Sequence, residues 1–287
     1  MQLVELQEAR ERFTRMGLGL AAVTYDNEAT LKEFAAAQHI EYPLLADPTS
    51  RIIRAFGVLD PDNSEFNRAG DGSVPGDMAY PGYIVIDRSG IVTSKYFEDI
   101  YSDRHTPNNV LGQILPEIFE GSREPVRGSH LSARTGQSDL VAAPGNRVTL
   151  FVDIDLPRGI HVYAPGDHRY RPLELRLAPP PPFETRPVAL PPSEVMEIPA
   201  IHERVPVYSG KIRVSQDVIV PGRQREFLIS LRDAPDHAVT LEITGTLRYQ
   251  ACEAKVCYKP EEITLSWPLT VKGRRIPRTS EQNRRAG

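Results

Sequence analysis

Apolar residues in the first part of the chain recur alternately at helical and strand spacing. LVELQEARERFTRM brings Leu3, Leu6, Phe13 and Met16 near one face of a helix. LGLAAVTYD (18–26) is a short apolar run that ends in turn residues, which predicts a buried strand. NEATLKEFAAAQHI (27–40) opens on Asn27, a good N-cap, and continues with strong helix formers. YPLLADPT reads as extended, and SRIIRAFGV (50–58) as a short helix closed by Gly57. YIVIDRSGIVTSKYF (83–97) predicts a hairpin turning around Arg88–Gly90. NNVLGQILPEIFEG (108–121) predicts a helix that Pro116 kinks or breaks. Strands alternating with helices predict a mainly parallel α/β sheet.

After the polar linker GSREPVRGSH (121–130) the period falls to two. RVTLFVDIDLP alternates through Val148, Leu150, Val152, Ile154 and Leu156. REFLISLRDAP alternates through Phe227, Ile229 and Leu231, and AVTLEITGTLRYQAC and ITLSWPLTV behave alike. Proline and glycine clusters, APPPPF among them, punctuate these runs. Short alternating strands without helices predict an antiparallel β-sandwich of immunoglobulin-like size. The expected division is an α/β domain over 1–122, an all-β domain over 128–272 and a disordered basic tail over 273–287. The segment KGRRIPRTSEQNRRAG, with six Lys or Arg and one Glu, reads as solvated rather than as a nucleic-acid arm.

Length and composition agree with two domains. The chain has 287 residues, 40% hydrophobic and 25% charged, enough apolar material for two cores. A net charge of −4, from 34 basic and 38 acidic residues, argues against a general nucleic-acid binder. No run of about 18 apolar residues predicts a membrane span. MQLVELQEARERF lacks an apolar h-region and a cleavage site, so no signal peptide is expected in the sequence as it stands.

The two cysteines of the chain, Cys252 and Cys257, lie in TLRYQACEAKVCYKPEEITL. A hairpin with the loop Glu253–Val256 would set them opposite each other, roughly 4.5–5.5 Å apart at Cα and within disulfide range. Three uses stay open on spacing. A staple closing so short a loop is worth only about 2 kcal/mol in the chain-entropy model. Exposed cross-strand disulfides tend to exchange. A metal clip lacks the further His or Cys ligands of a four-coordinate site, so no metal and no cofactor is expected.

GIHVYAPGDHRYRPLELRL (159–177), VPVYSGKIRV (205–214) and YQACEAKVCYKPEEITLSWPLTV (249–271) together resemble the N-terminal periplasmic domain of DsbD-type thiol–disulfide interchange reductases. The resemblance spans roughly 128–272, and its most specific part is the tyrosine-led Cys-x4-Cys followed by aromatic-x-Pro-Glu. It implies an immunoglobulin-like fold that takes electrons from a membrane reductase and passes them to thioredoxin-like proteins. Cys252 and Cys257 would then be the exchanging pair, with Cys257 the sulfur attacked. Tyr163 matches a tyrosine lining the family's active site, and Tyr249 and Tyr258 flank the pair as candidate partner-binding residues. The family's aromatic cap loop corresponds to MEIPAIHERVPVY (196–208), which has no Phe. The implied compartment is periplasmic, against the visible N-terminus.

AAVTYDNEATLKEFAAAQHIEYPLLADPTSRIIRAFGV and YPGYIVIDRSGIV are similar to thioredoxin-like redoxins of the AhpC/TSA type over most of residues 1–120. In that family a proline before the hairpin, usually cis, faces the active cysteines; Pro81 holds that position. The family's nucleophilic cysteine starts a helix, where the dipole favours thiolate. This chain begins inside what resembles that helix, so the catalytic cysteine is not within it. Two explanations stay open: a start upstream of Met1, which would restore a peroxiredoxin-like peroxidase, or a degenerate redoxin used for docking.

The seven histidines (39, 105, 130, 161, 168, 202 and 237) read as surface or hairpin residues, and Asp47 as a turn or cap residue. Glu253 and Lys255 read as solvated loop charges. The expected protein is a truncated thioredoxin-like α/β domain followed by an immunoglobulin-like β-sandwich. The expected chemistry is thiol–disulfide exchange through Cys252 and Cys257. The alternative is a binding module with a structural disulfide.

Overall fold

A computed structural model describes residues 2–61, 78–98, 100, 103–122, 124–198, 203–253 and 256–273. The chain divides into two compact units, Met1–Pro116 and Glu117–Gly287. Residues 274–287 of the expected tail, His202 and Lys255 lie outside the described residues.

In the first unit, α1 (Gln2–Arg15) buries Leu6 and Phe13, seven residues apart on one face. Strand β1 (Ala22–Thr24) pairs in parallel with β2 (Leu44–Ala46) across α2 (Glu28–Gln38). The Asn27 side chain caps α2 by accepting from the Thr30 amide at 2.9 Å. Asp47, 4% exposed, caps α3 (Arg51–Ala55), its Oδ2 accepting from the amides of Ile52 and Ile53. Strand β3 (Leu59–Asp60) pairs antiparallel with β4 (Met78–Ala79), and β5 (Gly82–Ile86) with β6 (Val92–Phe97). The Asp87 carboxylate builds the hairpin turn by accepting from the amides of Ser89 and Ile91. After β7 (Arg104–His105), α4 (Pro107–Ile114) is capped by Thr106 and gives way to a 3₁₀ turn at Pro116. Among the described residues the mainly parallel sheet therefore reduces to β1–β2, because residues 82–97 fold back on themselves.

The second unit is a layered β structure. Its longest ladder joins β18 (Ala238–Tyr249) to β20 (Glu261–Lys272) in unbroken antiparallel register. On β20, Ile263, Leu265, Trp267, Leu269 and Val271 are buried, a clean period of two. With β10 (Val141–Ala142) and β13 (Glu174–Ala178) they form the sheet β10-β20-β18-β13. The facing sheet runs β14-β17-β11-β9-β8, from β14 (Glu184–Ala189), β17 (Lys211–Ile219), β11 (Asn146–Asp155), β9 (Ser132–Gln137) and β8 (Val126–Arg127). Val148, Leu150, Val152 and Ile154 of β11 enter one core with Val214, Val218 and Trp267. The Trp267 indole N–H donates to the Phe151 carbonyl at 3.2 Å, so its polar edge is satisfied while its ring is fully buried.

One expected strand is a helix. REFLISLRD forms α5 (Arg225–Asp233). Phe227, Leu228 and Leu231 turn inward while Ile229 stays exposed, so the i, i+1, i+4 set was the pattern that mattered. The third sheet, β15-β16-β12-β19, is small and carries the cysteines. It comprises β15 (Glu194–Ile198), β16 (Glu203–Ser209), β12 (His161–Tyr163) and β19 (Ala251–Cys252).

Candidate functional site

Beyond Tyr249 the β18–β20 ribbon narrows into the cysteine hairpin. The Tyr258 amide donates to the Ala251 carbonyl at 2.9 Å, and the Glu253 amide to the Val256 carbonyl at 2.8 Å. These bonds set Cys252 opposite Cys257, with Cα atoms 4.1 Å apart and the sulfurs joined in a disulfide. The two halves of the bond meet different surroundings. Cys252 is 1% exposed, whereas Cys257 is exposed beside Val256, itself 50% exposed.

Three-residue β12 positions the inner wall. It pairs on one edge with β16 and on the other with β19, setting His161 opposite Cys252 and Tyr163 opposite Val207. Opposed residues, and residues two apart on a strand, share a face. His161, Tyr163 and Cys252 therefore lie on one side. The Tyr163 hydroxyl reaches both sulfurs, 3.2 Å to Cys252 Sγ and 3.4 Å to Cys257 Sγ. In the disulfide neither sulfur carries a hydrogen, so the tyrosine is the donor. Tyr163 stacks on Tyr170, centroids 4.1 Å apart and planes 5° apart, while His161 and His168 pack against its edge and face. Val205, Val207, Tyr170 and Met196 close the cluster around Tyr163 and Cys252. Met196 and Tyr170 thus supply apolar cover where the cap region has no Phe; residues 199–202 of that region lie outside the described residues.

The electrostatics follow from burial. Burial, then Tyr170 and Glu203, push the Tyr163 hydroxyl up to about 12. It therefore stays a donor through neutral pH. The Tyr170 hydroxyl donates to Glu203 at 3.1 Å, and Arg169 lies over the Tyr170 ring. Burial lowers the His161 pKa, so its ring stays neutral at pH 7. On the outer side, Tyr258 stacks on His130 with centroids 3.7 Å apart and donates to Glu253 at 2.6 Å. That bond, then burial, raise the Tyr258 pKa. Glu253 is thus tied to the loop it stands in rather than simply solvated.

The four residues expected around the cysteines take different places. Tyr163 meets the disulfide directly but is fully buried, so it acts on the sulfurs and offers a partner no surface. Tyr249 is 1% exposed and donates to Glu261, which also accepts from the Ser129 amide. It braces the hairpin from beneath, a correction to its expected role at the partner surface. Tyr258 is half-buried and adjoins Cys257. Pro81 lies in the other unit, at the start of β5. Its preceding peptide is trans, not cis as the resemblance implied: Tyr80 donates to Val58 and Glu98 to the Pro81 carbonyl, which keeps the run extended. His161 and His105, expected as surface or hairpin residues, are buried. His161 was not among the expected site residues and Tyr170 was not singled out, although the i, i+2 spacing in HVY put His161 on the same face as Tyr163. Among the described residues no group of three or more His, Cys, Asp or Glu could hold a metal ion.

Residues 1–95 match the AhpC/TSA family, and residues 135–267 match "Thiol:disulfide interchange protein DsbD, N-terminal". The first segment is thus similar to redoxins of the AhpC/TSA type and the second to DsbD N-terminal domains. Both are thiol–disulfide redox families. The chain is also 26% identical over 106 residues to chloroplastic peroxiredoxin Q of Arabidopsis thaliana, covering 36% of this chain and 43% of that protein. It thus spans less than half the length of that curated relative. Among solved structures it is similar to the N-terminal periplasmic domain of ScsB from Proteus mirabilis, with 13% identity and a TM-score of 0.30. That match covers 53% of this chain and 49% of the other. It is also similar to the DsbD N-terminal domain in complex with the PilB N-terminal domain from Neisseria meningitidis, with 17% identity and a TM-score of 0.27. That match covers 41% of this chain and 73% of the other. Among the described residues no helix is long and apolar enough to cross a membrane.

Proposed function

We propose that the second unit relays reducing equivalents by thiol–disulfide exchange through Cys252 and Cys257. Its partners would be an upstream membrane thiol–disulfide reductase and a thioredoxin-like or peroxiredoxin-like protein. The observation that carries this reading is the asymmetry of the disulfide: Cys257 is open to an attacking thiolate, whereas Cys252 is 1% exposed beneath it. To load the pair, a partner thiolate attacks Cys257 and expels Cys252, and the partner's second thiol resolves the mixed disulfide to leave the dithiol; to deliver, Cys257 attacks the next partner's disulfide and Cys252 closes on Cys257, releasing that partner reduced. Tyr163, donating to both sulfurs, stabilises whichever sulfur carries negative charge. Tyr258 and Val256 form the rim beside Cys257. The likeness to DsbD N-terminal domains would place this chemistry in the periplasm or another extracytoplasmic compartment, where disulfides persist. Pro81 and the first unit would serve as a docking module; residues 1–116 contain no cysteine of their own to take up electrons.

The test is the reduction potential of the pair, equilibrated against glutathione and thioredoxin buffers. A value of roughly −120 to −270 mV fits an exchange protein. A value below about −300 mV marks a resistant bond and favours a binding module with a structural disulfide, a reading the close packing around Cys252 also supports.

A further inference from the structure

We propose that His161 accepts the proton of the Cys252 thiol when that buried cysteine closes the internal disulfide, an inference that rests on the exchange reading above.

The need for an acceptor comes from burial. Once reduced, Cys252 is a thiol enclosed by Tyr163, Val205 and Val207, with almost no access to water. The thiolate is the nucleophile, and a lone thiolate there is disfavoured by desolvation. An acceptor at its side turns the isolated charge into a neutral ion pair. The fold supplies one. His161 stands directly across the β12–β19 ladder from Cys252, which sets the two side chains about 5 Å apart at Cβ on a shared face. His161 is 4% exposed, and its Nε2 is buried with no hydrogen-bond partner among the described residues. A buried polar atom left unpaired costs on the order of 1–3 kcal/mol. A transient proton at this nitrogen gives it a use.

The neighbours narrow the choice. On β12 itself the facing group is Tyr163, whose phenol stays protonated and so cannot accept. From β19 it is Cys252. From β16 it is Ser209, whose hydroxyl donates to Glu194 of β15 at 3.3 Å. His168 packs on the Tyr163 and Tyr170 rings, but its Nε2 donates to the Ala164 carbonyl at 2.7 Å and it lies on a loop rather than across from the cysteine.

In the step, a partner sulfur is bonded to Cys257. The Cys252 proton passes to His161 Nε2, and the Cys252 sulfur attacks the Cys257 sulfur. The Cys252–Cys257 bond forms as the Cys257–partner bond breaks. The electron pair leaves with the partner thiolate, which takes up the proton from His161 or solvent. The dithiol has lost two electrons and the partner disulfide has gained them.

The reduced full-length chain is mixed with dithio-bis-nitrobenzoate. Attack by Cys257 releases one thionitrobenzoate, and closure by Cys252 releases the second. In the wild type the second phase should reach a plateau in rate just above the ionisation of a histidine, below about 6.5, and rise again only where the thiol itself ionises near or above about 8.5. His161→Gln should remove the plateau, slow the second phase at pH 7 at least tenfold, and leave the first phase within twofold. His168→Gln should change neither phase. A His161→Gln second phase with the wild-type rate and pH profile overturns the proposal, as does one slowed equally at every pH, which would mean packing alone. Should His161→Gln fail to fold, the wild-type profile decides: a second phase following only thiol ionisation, with no plateau, overturns it. If the wild type releases both groups in one phase, with no internal disulfide formed, the exchange reading itself falls and the proposal with it.

Discussion

Replacing Cys257 with serine separates a working disulfide from a staple. The exposed position makes the substitution clean: serine there loses no burial, and Cys252 keeps its packing. The lost cross-link closes a loop of six residues, worth about 2 kcal/mol in the chain-entropy model. The hairpin keeps other restraints. The twelve-residue β18 and β20 remain in full register, and the Tyr258-to-Ala251 and Glu253-to-Val256 backbone bonds span the loop. Trp267, the only tryptophan, is fully buried in the second unit, so its fluorescence reports on that unit and not on the first. With a urea slope of about 2 kcal/mol per molar, the midpoint should fall by about 1 M and the transition should stay cooperative. Loss of a cooperative transition, or a fall of more than about 2 M, would refute the reasoning. The disulfide would then hold the fold, and its exchange would be incompatible with a stable domain.

Two further outcomes follow from the surroundings of the site. Burial pushes Tyr42 and Tyr163 up to about 12, and raises Tyr83 and Tyr249 as well. The folded chain therefore holds these protons above pH 10, where unfolded tyrosines release theirs, and stability should decline from about pH 10 towards pH 12. In a phenolate absorbance titration a late-ionising group should be visible, and Tyr163→Phe should remove one member of it; an unchanged late phase would contradict the burial argument. Gly128→Ala should place a methyl inside van der Waals contact of the Tyr249 hydroxyl, because the glycine lies directly against it. The expected cost is about 1–3 kcal/mol by tryptophan fluorescence, and a neutral result would mean the Ser129–Glu261 loop gives way freely.

Much of the fold was legible along the chain because its information is local. A period of two needs only neighbouring positions, and Val148 to Ile154 and Ile263 to Val271 are buried as their alternation requires. Asn27 and Gly57 act where a cap and a left-handed stop were expected, Gly57 at a φ of 68°. The opposition of Cys252 and Cys257 followed from a four-residue loop. The segment 225–233 was misread because Phe227, Ile229 and Leu231 fit alternation, while Leu228, which decides for a helix, breaks it.

The site itself is non-local. Tyr163 meets sulfurs 89 and 94 residues away, and His161 meets Cys252, because the short β12 is held between β16 and β19. Nothing near positions 161–170 indicates that pairing, nor that Tyr170 stacks on Tyr163. Sequence spacing established that the two cysteines could bond. Only the packing of the third sheet decided that one sulfur faces solvent and the other a buried tyrosine and histidine, because burial depends on which distant strand covers each side.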